Sequence, residues 1–280
     1  MEDNKVKEVL ASQGFRFKKQ FGQNFITDTN LLTAIADGAG IGADSTVVEI
    51  GCGAGTLTSV LAKRAKHVVA FEVDRDLKSV LAVTLAGLDN AEVVFRDFLK
   101  VNMREFERDM PPYTVVANLP YYITTPLIMK FMEEAEKCLS LTVMVQEEVA
   151  LRFCATENTP DYGAVTANIA LRGVCSIIRR VSRNMFTPRP NVDSAVVRID
   201  IREGNVAVKS APLYKKVVRA AFSSRRKTLE NNLMQAFSLN RADARDVLSA
   251  CGVDAMARGE QLSPQQFAAL ADELLSRGIK

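Results

Sequence analysis

The sequence predicts an α/β protein with a mostly parallel sheet, followed by a smaller all-helical domain. Three observations carry this. Between Thr46 and Val145, short apolar runs alternate with amphipathic stretches in the order βαβα, which calls for a parallel sheet covered on both faces. Two of the apolar runs end in chemistry-bearing turns, Glu49 to Gly55 and Asn118 to Tyr121. Beyond Ser210 only helical spacing remains. The expected boundary puts residues 1–203 in the α/β domain and residues 204–280 in the helical one.

Taken in order, residues 1–22 are charged and then basic and aromatic (Phe15, Arg16, Phe17, Lys18, Lys19, Phe21), without a clear periodic element. Asp28 is a suitable cap for a helix whose Leu31, Leu32, Ile35, Ala36 and Ala39 share a face. Strands are expected at residues 46–50, 68–71, 92–95, 114–117 and 140–145. Helices between them are marked by Leu57, Val60 and Leu61, by Leu77, Val80, Leu81 and Leu85, and by Leu127, Ile128, Phe131 and Met132. Thr124-Thr125-Pro126 looks like a hydroxyl-capped helix start with proline in the first turn. Two later β-like runs, 174–178 and 194–201, flank a loop containing Phe186-Thr187-Pro188-Arg189-Pro190. Residues 202–210 look like a linker. Ser210 and Pro212 start a helix with Leu213, Val217, Val218, Ala221 and Phe222, and Leu229, Leu233, Met234 and Phe237 mark a second. The last helix opens with a capping box, Ser263 with Gln266, and a staple, Leu262 with Phe267.

Bulk properties exclude several classes. The chain has 280 residues, 48% hydrophobic and 25% charged, a composition that builds a core and is not that of a disordered chain. The charged first twenty residues lack an apolar segment, so no secretory signal is expected, and no stretch reaches the ~18 apolar residues of a spanning helix. Five cysteines without a CxxC pair argue against a disulfide framework or a zinc site and suit a reducing compartment. The chain is therefore expected to be cytoplasmic and to need no metal. A single histidine, His67, cannot build a relay for hydrolysis. Nothing calls for more than a monomer. Net charge is +3, but residues 175–230 carry 13 Lys/Arg against 4 Asp/Glu. Such a basic segment suits an acidic partner such as nucleic acid; a solvated face is the plainer reading.

Glu49-Ile50-Gly51-Cys52-Gly53-Ala54-Gly55 follows the first long strand. Glycines at every second position let the backbone approach a ligand. The dinucleotide fingerprint would need glycine at position 56, which is Thr56. Glu49 adds a carboxylate where a phosphate would be repelled. Glu72, at the end of the next strand, lies at the spacing of an acid that takes a ribose hydroxyl pair. Asp97, after the third strand with Phe98 beside it, is placed to accept from an adenine amino group. Turn glycines and solvated acids would explain each feature singly.

This constellation resembles the class I S-adenosylmethionine-dependent methyltransferases, a Rossmann-like fold. The resemblance implies S-adenosyl-L-methionine as cofactor, with its amino acid part on the glycine loop, its ribose on Glu72 and its adenine near Asp97. Asn118-Leu119-Pro120-Tyr121 resembles the N/D-x-P-F/Y turn of enzymes that methylate exocyclic amino groups. There Asn118 and the Leu119 carbonyl would accept the amino protons, freeing the lone pair for in-line attack. Tyr121 would stack on a flipped-out base. Phe186 is a candidate second aromatic wall, although core packing explains it as well.

Further stretches narrow the resemblance: Phe21 to Phe25, Val145 to Ala150, Pro188 to Val196 and Ala221 to Lys227. With the two turns, they are similar to the ribosomal RNA adenine dimethyltransferases over about residues 15–275. The helical tail and Phe222-x-x-Arg225-Arg226-Lys227 favour the small-subunit branch, the adenine-N6,N6-dimethyltransferases of kasugamycin sensitivity. That branch dimethylates two adjacent adenosines near the 3′ end of 16S ribosomal RNA in an immature small ribosomal subunit, late in ribosome biogenesis. The implied cofactor residues are Asn24, Ile26, Gly51, Gly53, Glu72, Asp97 and Asn118, and the implied base pocket is Asn118, Leu119, Tyr121 and Phe186. Phe21 and Ile26 stand where leucine is common. RNA contacts are expected from Arg179, Arg180, Arg183, Arg189, Lys215, Lys216, Arg219, Arg225, Arg226 and Lys227. Three alternatives remain open: the 23S large-subunit methyltransferases of macrolide resistance, a DNA amino-methyltransferase, and an RNA-binding assembly factor without essential catalysis. The asymmetric Asn-Leu-Pro-Tyr and the helical tail count against DNA.

Overall fold

The computed structural model describes residues 3–15, 25, 26, 28–202 and 205–279. The chain forms two compact units, Met1–Ala150 with Ser176–Ile201, and Leu151–Cys175 with Arg202–Lys280.

In the first unit, helix α1 (Asp3–Ser12) occupies a stretch where no periodic element was expected. Val6 and Leu10 are buried there in a cluster with Leu77, Val80 and Leu81, and Val9 packs against it, too short a pattern to be seen in the sequence. After β1 (Phe25–Ile26), Asp28 caps α2 (Thr29–Gly38) by accepting from Leu31 N at 2.9 Å. Then follow β2 (Thr46–Ile50), α3 (Thr56–Ala62), β3 (His67–Glu72), α4 (Lys78–Thr84), β4 (Ala91–Phe95), α5 (Met103–Glu107), β5 (Tyr113–Asn118), α6 (Thr124–Glu134) and β6 (Cys138–Gln146). After α7 (Glu147–Phe153) and α8 (Ala164–Arg172) come β7 (Gly173–Val181), β8 (Phe186–Thr187) and β9 (Ser194–Ile201).

The main sheet has the order β4-β3-β2-β5-β6-β9-β7. Strands β2 to β6 are parallel, and β9 runs antiparallel to β6. All five residues of β2 are buried, as a central parallel strand requires. Order along the sheet reverses at β2, with β3 on one side and β5 on the other. A doubly wound sheet opens its ligand crevice at the carboxyl ends of such a strand pair. The glycine loop leaves β2 and Asn118 ends β5, so the topology alone brings the two turns together. Thr124 departs from the expected cap: its hydroxyl donates back to the Pro120 carbonyl at 3.4 Å, and the residue before the helix, Ile123, offers no side-chain cap.

The second unit holds α9 (Ala211–Ala221), α10 (Leu229–Phe237), α11 (Arg241–Ala250) and α12 (Pro264–Ser276). Tyr214, Val217, Leu229, Leu233, Phe267 and Leu270 lie in its core. The expected capping box closes α12, and Leu262 and Phe267 are both buried. Residues 151–175 pack here, not with the sheet as the expected boundary implied. The reason is a shared core: Tyr162, Ala167 and Leu171 join the helical cluster, and the Tyr214 hydroxyl donates to the Ala167 carbonyl at 2.9 Å.

Candidate functional site

A cavity of about 380 Å³ lies at the carboxyl ends of β2, β3, β4 and β5. One wall is the glycine loop. Gly51, Gly53 and Gly55 all have left-handed φ, at 74°, 57° and 79°, so the backbone coils back on itself. Gly51 N and Cys52 N donate to the Phe71 carbonyl at 2.8 and 3.1 Å. These bonds pin the loop to the end of β3. A Cβ on Gly51 would sit 3.5 Å from Pro120 Cδ, which measures how closely the two turns approach.

Glu72 continues the pinning. Its Oε2 accepts from Gly53 N, and its Oε1 from Val73 N and Asp74 N, each at 2.8 Å. Burial raises its pKa, and these three donors oppose the rise. A carboxylate has about four acceptor positions, so one remains for a ligand hydroxyl. Glu49 differs: it is 1% exposed, and its Oε2 has no hydrogen-bond partner. Burial pushes its pKa up to about 8, the Thr58 hydroxyl opposing and the Glu72 charge adding to the shift. The buried thiol of Cys52 is also pushed up, first by burial and then by the two glutamates, so it is no nucleophile. Asp97 accepts from Leu99 N at 3.0 Å and is 3.7 Å from Lys100 Nζ. Beneath it Phe98 is buried, stacked on Phe131 at 5.2 Å and edge-on to Phe71 at 4.8 Å.

The opposite wall is Asn118 to Ile123. Leu119 is buried, and its N–H donates to the Met144 carbonyl at 3.3 Å. The Tyr121 hydroxyl lies 3.1 Å from Ser194 Oγ on β9, which anchors the far end of the ring. Burial raises the Tyr121 pKa, so the phenol stays neutral. Tyr122, one residue on, was not singled out from the sequence. The residue is 59% exposed and lines the cavity. Its pKa is raised by burial and then by the charges of Asp97 and Glu72. The doubled tyrosine was the available signal.

The cavity therefore brings together Ile26, Gly51, Gly53, Glu72, Asp97, Asn118, Leu119 and Tyr121. Asn24 lies outside the described residues. Phe186 is not on the cavity wall: it is 4% exposed, pairs with Ile26 across β1 and β8, and packs in the core with Leu32 and Ile35. The basic residues divide between the units. Arg179, Arg180 and Arg189 are exposed in the first, and Arg180 pairs with Glu147 at 3.2 Å. In the second, Lys216, Arg219, Arg225, Arg226 and Lys227 are exposed, and Lys215 is half-buried. Lys216 Nζ sits 4.7 Å over the Phe237 ring, and Arg225 donates to the Tyr162 carbonyl at 3.1 Å.

The carboxylates of Glu72 and Asp97, the buried carboxyl of Glu49 and an aromatic floor suit a ligand with cationic groups and an adenine ring. They repel a pyrophosphate. S-adenosylmethionine carries both an ammonium and a sulfonium, and the unpartnered Glu49 oxygen is the buried acceptor that a cationic ligand would satisfy.

Comparison with known proteins agrees with this geometry. The family described as "Ribosomal RNA adenine dimethylase" matches residues 14–275. The chain is 43% identical over 279 residues to "Ribosomal RNA small subunit methyltransferase A" of Geobacillus thermodenitrificans, covering 97% of this chain and 95% of the relative. The protein of that name from Clostridioides difficile is 43% identical over 275 residues, with 96% and 94% covered. A solved dimethyladenosine transferase from Plasmodium falciparum superposes with a TM-score of 0.80 at 26% identity, covering 91% of this chain and 98% of that one. The 23S rRNA methyltransferase ErmE follows at 0.69 and 28%, covering 90% and 99%. The Rossmann-like methyltransferase fold is thus shared with both structures, and the cofactor is S-adenosylmethionine. The chain belongs to the ribosomal RNA adenine dimethylase family.

Proposed function

We propose that this chain dimethylates N6 of two neighbouring adenosines near the 3′ end of small-subunit ribosomal RNA, using S-adenosylmethionine. Its substrate is an immature small subunit, and it works as a cytoplasmic monomer. One observation carries the reading: the amide-bearing turn at Asn118 and the glycine loop at Gly51 wall the same cavity.

Bound there, S-adenosylmethionine supplies an electrophilic methyl group on a sulfonium. The chain's own residues orient the nucleophile. Asn118 Oδ1 and the Leu119 carbonyl accept the two amino protons, drawing the conjugated nitrogen toward a tetrahedral shape with its lone pair directed at the donor. Tyr121 holds the base by stacking, its ring anchored at the far end by Ser194. No strong base is required, because the donor is already charged and positioning supplies the acceleration. Glu72 receives a ribose hydroxyl on its one remaining acceptor position, Asp97 receives the adenine amino group, and Asn24 and Ile26 complete the cofactor site. Phe186 supports the pocket from behind Ile26. The exposed arginines and lysines contact RNA phosphates.

The test is transfer of labelled methyl from S-adenosylmethionine to small-subunit particles lacking the modification, followed by nucleoside mass spectrometry. N6,N6-dimethyladenosine in small-subunit RNA is the expected product. Product in large-subunit RNA alone would favour the ErmE-like reading. Asn118→Ala should lower turnover by at least about 100-fold, the scale of losing a positioned donor or acceptor, with RNA affinity within a few-fold of wild type. Equal loss of both would make Asn118 structural.

A further inference from the structure

Cys154 and Cys175 lie outside the cofactor cavity, yet their sulfur atoms are 2.9 Å apart. Both are free and half-buried, within reach of a small reagent. Cys52 and Cys138 are buried, and Cys251 stands alone. The pair is separated by 21 positions, so no CxxC spacing announces it. Cys154 follows the end of α7, and Cys175 lies in β7. Both belong to the second compact unit, and Cys175 is the last residue of its first segment. A disulfide has its sulfurs about 2.05 Å apart, so bonding requires them to close by only roughly 0.9 Å. The contact also favours attack by Cys154 first: the hydrogen bond with Cys175 lowers the pKa of Cys154 and, with burial, raises that of Cys175, so Cys175 loses its proton only after Cys154 has entered the mixed disulfide and no longer carries a thiolate.

We propose that Cys154 and Cys175 form a dithiol that closes reversibly to a disulfide, a redox modification site independent of the methyltransferase cavity. The oxidant class is a low-molecular-weight disulfide. The Cys154 thiolate attacks one of its sulfurs, breaking the S–S bond and expelling one small thiolate. Deprotonated Cys175 then attacks the Cys154 sulfur of the mixed disulfide and expels the second. Both cysteines are oxidised by one electron each, the small disulfide is reduced to two thiols, and those thiols take up the two protons. Reduction reverses the same steps.

The test uses the full chain, reduced, desalted and incubated with oxidised glutathione, then blocked with N-ethylmaleimide and digested by trypsin without reductant. Cleavage after Arg152, Arg172 and Arg179 should yield peptide 153–172 linked to peptide 173–179, lost on adding dithiothreitol. Phenylarsine oxide, which bridges two close thiols, should protect both cysteines from the maleimide in the wild-type chain and leave Cys251 reactive. Cys175→Ser should abolish the cross-link and leave a glutathione adduct on Cys154. Affinity for S-adenosylmethionine should agree within about twofold between reduced and oxidised protein. Separate glutathione adducts on both cysteines without a cross-link, or no protection by the arsenical, would overturn the proposal. A large change in cofactor affinity would overturn the independence of the site. A chain that made no dimethyladenosine but did form the link would count against the proposed function alone.

Discussion

Among single side chains, Glu49 sets the charge state of the cavity. Unfolded, its carboxyl titrates near 4.5; folded, it keeps its proton up to about 8. Between those values the native chain binds more protons than the unfolded one, so raising the pH through the window removes stability. Glu49→Gln should flatten that part of the profile, seen as a smaller fall in Tm between about pH 5 and 8. A cationic ligand favours the charged carboxylate. Affinity for S-adenosylmethionine should therefore rise with pH through the same window in the wild type, and rise less in the glutamine variant, measured by titration calorimetry. Parallel profiles in the two proteins would mean that Glu49 does not meet the ligand's positive charge.

The element that most constrains the site is the turn from β2 into α3. Gly55, at the head of α3, has φ of 79°, and a Cβ there would come within 3.0 Å of Leu81 Cδ2 and Leu85 Cδ2. Gly87 has almost the same φ, 80°, with nothing within 4 Å. Alanine at Gly87 meets only the left-handed penalty of about 1 kcal/mol, or a Tm lower by about 2–4 °C in a chain of this size. Alanine at Gly55 adds crowding of about 1–3 kcal/mol, and α3 or α4 must move to relieve it. Thermal melts should show a clearly larger drop for Gly55→Ala, together with weakened cofactor binding that Gly87→Ala lacks. Equal melts would mean that Leu81 and Leu85 yield freely.

Charge matters at the scale of the molecule. Residues 175–230, with 13 Lys/Arg against 4 Asp/Glu, supply basic residues to both compact units. Some are already engaged: Arg180 with Glu147, and Arg225 with the Tyr162 carbonyl. Arg219, Arg226 and Lys227 are exposed. RNA affinity should fall steeply with salt, and Arg226→Ala should reduce the slope of log K against log salt by about 0.7–0.9, the share of one phosphate contact. Filter binding across a salt series measures it. A flat dependence would refute phosphate recognition by this segment.

Much of the site was legible because its signals are local. A glycine loop, an acid at the end of the next strand, an Asp after the third and Asn-Leu-Pro-Tyr after the fourth each sit where an expected strand stops, and alternating apolar runs locate those stops. The sequence by itself thus determined the succession of the longer strands along the chain, the caps at Asp28, Ser210 and Ser263, and the chemistry carried on each turn. It did not determine which turns meet: β2 and β5 are adjacent only through the strand order of the folded sheet. Apolar spacing treats a core ring and a pocket ring alike, so only packing placed Phe186 behind Ile26. Residues 151–175 carry no boundary signal, and Tyr162, Ala167 and Leu171 joined the helical unit through contacts distant in sequence. The unpartnered oxygen of Glu49 and the approach of Cys154 to Cys175 arise the same way. Burial and proximity are properties of chain segments brought together, and the tertiary structure alone decides them.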